Sequence, residues 1–240
     1  MGTPPISWAE VAPGSVLMGS DDRSILFGGI GPRHEVSIGY RYKISMEPLE
    51  PNDAEDILNS QVAEIASESE WELAYSMGLI SGGDGNSVEA LADLSENYWG
   101  KACDGRPIAK KGSRNGIIRV WKSGKPTPSM MPIEKIQSSE NSIKFRLVVR
   151  ELTEWPNSPL LLPKRRDNSR IFREEAIISI FFGIIPSFAW AFFNASPTYI
   201  SEGWLNLLFG GIFFGLFTGI FWRPRQPTWY VESGEMVRRP

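Results

Sequence analysis

AIISIFFGIIPSFAWAFF (residues 176–193) and LNLLFGGIFFGLFTGIFW (residues 205–222) decide how this chain is organised. Each runs for 18 residues without a charged side chain, the length at which a helix begins to span a bilayer. Residues 194–204 join them, with Pro197 and Gly203 as breakers. The pair reads as a transmembrane helical hairpin. The competing reading is a buried hairpin inside a soluble protein. Neither stretch, however, has the polar face that a soluble helix turns to water. Gly211, Gly215 and Gly219 recur every fourth residue and so line one face of the second span. Small residues at that spacing let helix backbones approach closely in lipid. Packing against the first span is the favoured use, and self-association is the other. Pro186 removes a backbone donor and is expected to kink the first span.

Charge then sets the orientation. Lys164, Arg165, Arg166, Arg170 and Arg173 precede the first span, Arg223 and Arg225 follow the second, and the connector carries only Glu202. Positive charge stays on the cytoplasmic side, so the expectation is an integral membrane protein with two spans and both termini cytoplasmic. Residues 1–163 carry 16 Lys and Arg against 22 Asp and Glu, whereas residues 164–240 carry 9 against 6. An acidic head on a basic anchor suits an anionic lipid surface and lacks the basic stripe of a nucleic-acid binder. The expected partners are therefore membrane lipid and a protein, either a second copy or another chain, and not nucleic acid. Cys103 stands alone, which leaves no internal disulfide and fits a reducing compartment. The N-terminus shows no charged, then apolar, then small-residue signal pattern.

Within the head, the clearest strand signal is residues 34–46. His34, Val36, Ile38, Tyr40, Tyr42, Ile44 and Met46 alternate with polar or small residues, a period of two that turns the first set towards a core. Gly39 is expected to split this run. A helix is predicted from Asn52 or Asp53 to Asn59. A second starts at Ser67, where Ser67 and Glu70 have capping-box spacing, and ends at Gly78. Further strands are expected around Ile117 to Val120 and Ile143 to Val149. Strands at both ends with helices between them argue an α+β domain. The expected division is a head over residues 1–152, a proline-rich basic linker over 153–173, the hairpin over 174–225, and a flexible tail over 226–240.

Several of these pieces fall in a familiar order. Met18-Gly19-Ser20 is followed by Pro32, His34 and Val36, then by Ser67-Glu68-Ser69-Glu70-Trp71-Glu72 and Ala74. Asp93-Leu94-Ser95 with Asn97 and Trp99 comes next, and Phe145-Arg146 closes the series. The series resembles the formylglycine-generating enzyme family, the sulfatase-modifying factor domain. That resemblance implies a C-type-lectin-like α+β fold over roughly residues 3–150. There are departures. Glu64-Ile65-Ala66 replaces the family's Arg-Leu-Pro, Glu96 stands at a glycine position, and Gly100 stands where a carboxylate helps hold calcium.

The resembled enzymes use a pair of cysteines near the end of the domain to hold copper, and iron-dependent relatives use histidines. Here Cys103 has no partner cysteine and His34 is the single histidine, so soft Cu(I) and three-histidine iron sites both lack their ligands. His34 is expected to be a hydrogen-bonded core residue and Cys103 an ordinary loop cysteine. Glu68 and Glu72 share a helix face, but Glu70 points away, so the three do not converge. A loop at Asp84 to Asn86 reads as a turn. No catalytic residue, metal site or cofactor is expected. The candidate ligand-binding surface is Asn97, Tyr98 and Trp99, because Trp and Tyr give large contact area at low entropic cost. Trp99 in the core is the competing placement. The expected function is a membrane-anchored, non-catalytic binding or scaffold module on the cytoplasmic face. The alternatives are a membrane-bound enzyme of the formylglycine-generating type completed by a partner, or a small structural subunit of a membrane complex.

Overall fold

The computed structural model describes residues 6–24, 26, 28–81, 87–137, 143–221 and 223–240, with only the backbone of residue 56. The turn expected at Asp84 to Asn86 lies outside the described residues. The chain forms two compact units, one of residues 1–21, 29–164 and 227–240, the other of residues 22–28 and 165–226.

The first unit is mixed α+β. Its elements are β1 (Trp8–Val11), β2 (Gly14–Met18), β3 (His34–Ile38), β4 (Tyr42–Ser45), α1 (Pro51–Asn59), β5 (Glu64–Ile65) and α2 (Glu68–Ser76). They continue with β6 (Val88–Ala90), β7 (Asn115–Lys122), β8 (Lys125–Pro132), α3 (Ile133–Gln137), β9 (Ile143–Phe145), β10 (Leu147–Arg150), β11 (Thr228–Glu232) and β12 (Glu235–Arg239). Three small sheets result, in the orders β1-β4-β10-β5, β12-β11-β3-β2 and β8-β7-β6-β9.

The period-two run does what its pattern predicts. His34, Val36, Ile38, Tyr40, Tyr42 and Ile44 are all buried, and the break at Gly39 sends β3 and β4 into different sheets. Met46 departs from the pattern and is 41% exposed. The strand ends one residue earlier at Ser45, whose buried hydroxyl accepts the Leu147 N–H at 3.1 Å. Trp71, Leu73 and Ala74 of α2 complete the main core. Burying a side chain the size of Trp71 contributes ~3 kcal/mol.

The expected boundaries of the head need two corrections. Residues 226–240 are not a flexible tail: β11 and β12 pair along their whole length, and Trp229 pairs with His34 of β3. Their turn is Ser233-Gly234, with both residues at positive φ, a two-residue hairpin connection whose twist matches the strands. Ser123-Gly124 makes the same turn between β7 and β8. Nor do residues 153–164 form a free linker. Leu162 is buried, and Gly100, Cys103 and Leu162 form backbone hydrogen bonds across to Pro163, Leu160 and Lys101. Strand β8 carries Pro126, Pro128 and Pro132, all on one parity of an edge strand. There a missing N–H faces away from the ladder and costs it nothing.

The second unit holds two helices long and apolar enough to cross a membrane, Asn168–Asn194 and Pro197–Ile220. The first comprises α4 (Asn168–Ile178), a π-helical turn Ser179–Ile184 and α5 (Ile185–Asn194). It therefore begins inside the stretch expected to be linker, capped by Asp167, which accepts the Arg170 N–H at 3.1 Å. The π turn directly precedes Pro186, with the Ile185 N–H bonded five residues back to Ile180 O. The break expected from the proline's missing donor thus takes the form of a widened turn. The second helix is α6 (Pro197–Phe217) with a closing 3₁₀ turn, Thr218–Ile220.

Gly211 and Gly215 form the seam between the helices. A Cβ on Gly211 would stand 2.6 Å from Ile184 Cα, and one on Gly215 would stand 2.6 Å from Ser179 Cα. Gly219, the third residue of the series, faces the Arg223 guanidinium instead of the first helix, and a Cβ there would stand 2.6 Å from Arg223 Nη2. That guanidinium donates to Gly215 O, Leu216 O and Thr218 Oγ1 at 2.7–3.2 Å, satisfying orphan carbonyls of the last turn. Large rings, including Phe181, Trp190, Phe193 and Phe213, point outward and are more than half exposed.

Candidate functional site

The first turn of α2 organises the polar interior of the head. Ser67 and Glu70 form the predicted capping box: Glu70 Oε2 accepts the Ser67 N–H at 2.8 Å and Ser67 Oγ accepts the Glu70 N–H at 3.2 Å. Glu70 is fully buried and also accepts from Arg150 at 2.6 and 2.9 Å and from Tyr40 OH at 2.8 Å. Glu68 turns the other way. Its Oε1 accepts from Tyr98 OH at 2.7 Å and from Arg119 at 2.8 Å, while Arg119 also reaches Glu72 at 2.7 Å. Glu68 and Glu72 therefore share one cation across a helical turn and Glu70 holds another, the divergence that their spacing requires.

Two further ion pairs are sealed from solvent. Lys101 Nζ meets Asp93 Oδ1 at 2.8 Å, and Asp93 also accepts the backbone N–H groups of Glu68 and Ile108. Arg146 grips Glu89 through Nε and Nη2 at 2.7 and 2.9 Å, and Glu89 accepts the indole N–H groups of Trp71 and Trp121 at 2.7 Å. Buried charge is tolerated only when paired and hydrogen-bonded in this way. Unspent capacity remains at one point of the web. Glu68 Oε2 and Arg119 Nε are buried without a hydrogen-bond partner. Burial pushes the Glu68 carboxyl above the usual carboxylate range, against the pull of Arg119.

His34 and Cys103 lie where the sequence reading puts them. His34 is fully buried and donates Nδ1–H to Pro32 O at 2.8 Å, and its ring lies 5.0 Å from that of Tyr98. Burial lowers its pKa to about 3, so the imidazole is neutral at physiological pH. Cys103 is 2% exposed, and burial pushes its thiol up to about 12. The thiolate needed of a nucleophile or soft-metal ligand is absent at neutral pH.

The expected ligand surface is only partly a surface. Tyr98 is fully buried, its N–H bonded to Gly31 O and its hydroxyl held by Glu68. Within the loop between β6 and β7 these bonds turn the ring into the main core, which corrects the expectation. Asn97 and Trp99 stay half-buried on the turn. Asn97 Oδ1 accepts the Trp99 N–H at 3.2 Å and a proton of Lys110 Nζ, a local ring that shapes the turn.

A cleft of about 250 Å³ opens elsewhere in the head, lined among others by Gln61, Glu64, Val148, Arg150, Leu152 and Trp155. The Trp155 ring is held by Tyr40 edge-on at 5.5 Å and by the guanidinium groups of Arg106 and Arg150 at 5.2 and 5.5 Å. Arg150 is 8% exposed, whereas Glu64, its second carboxylate partner, is 72% exposed. The sequence reading missed this cleft because its walls come from loop ends far apart in the chain. It also missed Arg119, Lys101 and Glu89. Arg119 had a signal: it alternates with Ile117 and Trp121 on β7, a cation on the face that otherwise turns inward.

Among the described residues, no three His, Cys, Asp or Glu side chains converge as metal ligands. Fold and site together define a mixed α+β chain with three small sheets, a buried web of ion pairs and two long apolar helices. No family model and no curated protein matches the chain. Among solved structures, PvdO from Pseudomonas aeruginosa is similar to it, with a TM-score of 0.44 and 15% identity over 60% of this chain and 94% of that one.

Proposed function

We propose that this protein is a membrane-anchored, non-catalytic binding module, with a sulfatase-modifying-factor-like head on the cytoplasmic face. The observation that carries it is the state of the two side chains best suited to nucleophilic or soft-metal chemistry. His34 and Cys103 are both buried and both held neutral. The family resemblance is supported by its motif residues, which are spent on architecture: Ser67 and Glu70 cap α2, Asp93 neutralises Lys101, and Arg146 neutralises Glu89. Anchoring is supported by the outward-facing rings of the two apolar helices. The inside orientation of both termini is supported by the arginines at the base of the hairpin.

A non-catalytic head needs a recognition surface. The cleft between Gln61–Glu64 and Leu152–Trp155 brings a half-buried indole, a buried guanidinium and an exposed carboxylate into one mainly polar depression. The test is affinity capture on the full-length protein from solubilised membranes, with wild type, Glu64→Lys and Trp99→Ala in parallel. A partner recovered by wild type and by Trp99→Ala but lost by Glu64→Lys supports the cleft. Loss with Trp99→Ala alone moves the surface to the Asn97–Trp99 turn. No partner above background, or conversion of a cysteine peptide by the purified protein, overturns the reading.

A further inference from the structure

The base of the hairpin carries more arginines than its fold consumes. Glu174 and Glu175, on α4, would repel a lipid phosphate at this level. Both are neutralised within the protein. Arg23, on the segment of residues 22–28, pairs with Glu174 and with Glu175, the latter at 2.7 Å, and its side chain is only 3% exposed. Arg170 pairs with Glu174 at 2.6 Å, and Arg223, 5% exposed, pairs with Glu175 at 2.8 Å. Asp22 and Asp167 are turned to backbone N–H groups, those of Ser24 and Arg170. Arg23, Arg170 and Arg223 thus hold both glutamates of α4.

Around this core stand Arg165, Arg166 and Arg173, all exposed, and no carboxylate among the described residues forms an ion pair with them. Desolvation, with the like charge of Arg23 added, lowers the pKa of Arg166 against the weaker pull of Glu175. Phe172, 77% exposed, sits beside Arg173 on α4, just ahead of the uncharged stretch. An exposed ring and unneutralised guanidinium groups at one end of an apolar helix pair match a phosphate on an acyl chain.

We infer that the base of the hairpin is a docking site for anionic phospholipid headgroups, formed by Arg166 and Arg173 with Phe172, and kept open because Arg23 and Arg223 occupy the neighbouring carboxylates. This inference rests on the membrane-anchored reading above. Each surface arginine facing an anionic headgroup is expected to strengthen the preference about fivefold. Arg23 acts indirectly, as a positioning residue that removes a repulsion.

The experiment reconstitutes the full chain in phosphatidylcholine nanodiscs with and without phosphatidylglycerol, and counts phosphatidylglycerol retained on the released protein by native mass spectrometry. Wild type is expected to retain phosphatidylglycerol over phosphatidylcholine. Arg166→Gln and Arg173→Gln should each lower that preference about fivefold, while Lys43→Gln, on the head, leaves it unchanged. Arg23→Gln should lower it as well, with Glu174→Gln/Glu175→Gln restoring it in the same background. Equal retention of the two lipids, or no change with either surface variant, overturns the inference while leaving the anchor intact. Displacement of the lipid by inorganic phosphate at matched concentration also overturns it, in favour of a free-phosphate site. Failure of the chain to enter nanodiscs at all overturns the anchored reading itself.

Discussion

The ammonium of Lys101 and the carboxylate of Asp93 meet at 2.8 Å with neither side chain exposed to solvent. Asp93 is also the acceptor for the first backbone N–H of α2 and for that of Ile108, so one carboxylate fixes a helix start, a loop and a cation. Removing its counter-charge leaves a buried anion uncompensated. Lys101→Met is expected to cost about 3–5 kcal/mol. Urea unfolding of the head, followed by tryptophan fluorescence, measures it; a cost below 1 kcal/mol would mean that water reaches the pair.

His34 makes stability depend on pH. Its folded pKa, about 3, lies below the unfolded value of 6.5, so the unfolded chain binds the extra proton between those values. The contribution is fully present above pH 6.5 and is lost as pH falls towards 3. Each unit of pKa depression corresponds to about 1.4 kcal/mol. His34→Asn retains a donor near Nδ1 and cannot titrate. The wild-type unfolding midpoint should therefore fall from neutral pH to pH 4 more steeply than that of His34→Asn, and parallel curves would refute the assignment.

Gly215 and Gly210 make a matched pair for the helix seam. A Cβ on Gly215 meets Ser179 Cα at 2.6 Å, whereas one on Gly210 meets nothing within 4 Å. Gly215→Val is expected to destabilise the hairpin by about 1–3 kcal/mol and Gly210→Ala to leave it unchanged. Thermal unfolding in detergent, read by far-UV circular dichroism, separates them.

Ending the chain at Gln226 removes β11 and β12 and uncovers the edge of β3. Trp229 packs on the main core, so its loss alone removes a contact worth on the order of 2–3 kcal/mol. A drop of several degrees in the melting temperature of the truncated protein is expected. An unchanged melting temperature would mean that the C-terminal hairpin adds nothing to the head.

The local features of the head were largely readable. Alternation placed His34 through Ile44 inward, and Ser67 with Glu70 gave the start of α2, because both signals depend on neighbours a few residues apart. The C-terminal strands were missed for a related reason. Glu232-Ser233-Gly234-Glu235 contains a two-residue hairpin turn and Thr228 to Val231 are strand formers, but the pairing of Trp229 with His34 that ties this hairpin to the head is not a local signal. Tyr98 was misjudged because an aromatic on a turn reads as surface until the Glu68 carboxylate beneath it is known.

Chain periodicity and charge alone determined the two apolar helices, their glycine seam and the basic flank, since span length and side-chain spacing are one-dimensional quantities. Only the tertiary structure decided which charges neutralise which. Glu68 finds Arg119, Glu89 finds Arg146, and Arg23 finds Glu174 across 151 residues of chain. Such pairings follow from burial, where an ion must have a partner within a few ångströms whatever its distance in sequence.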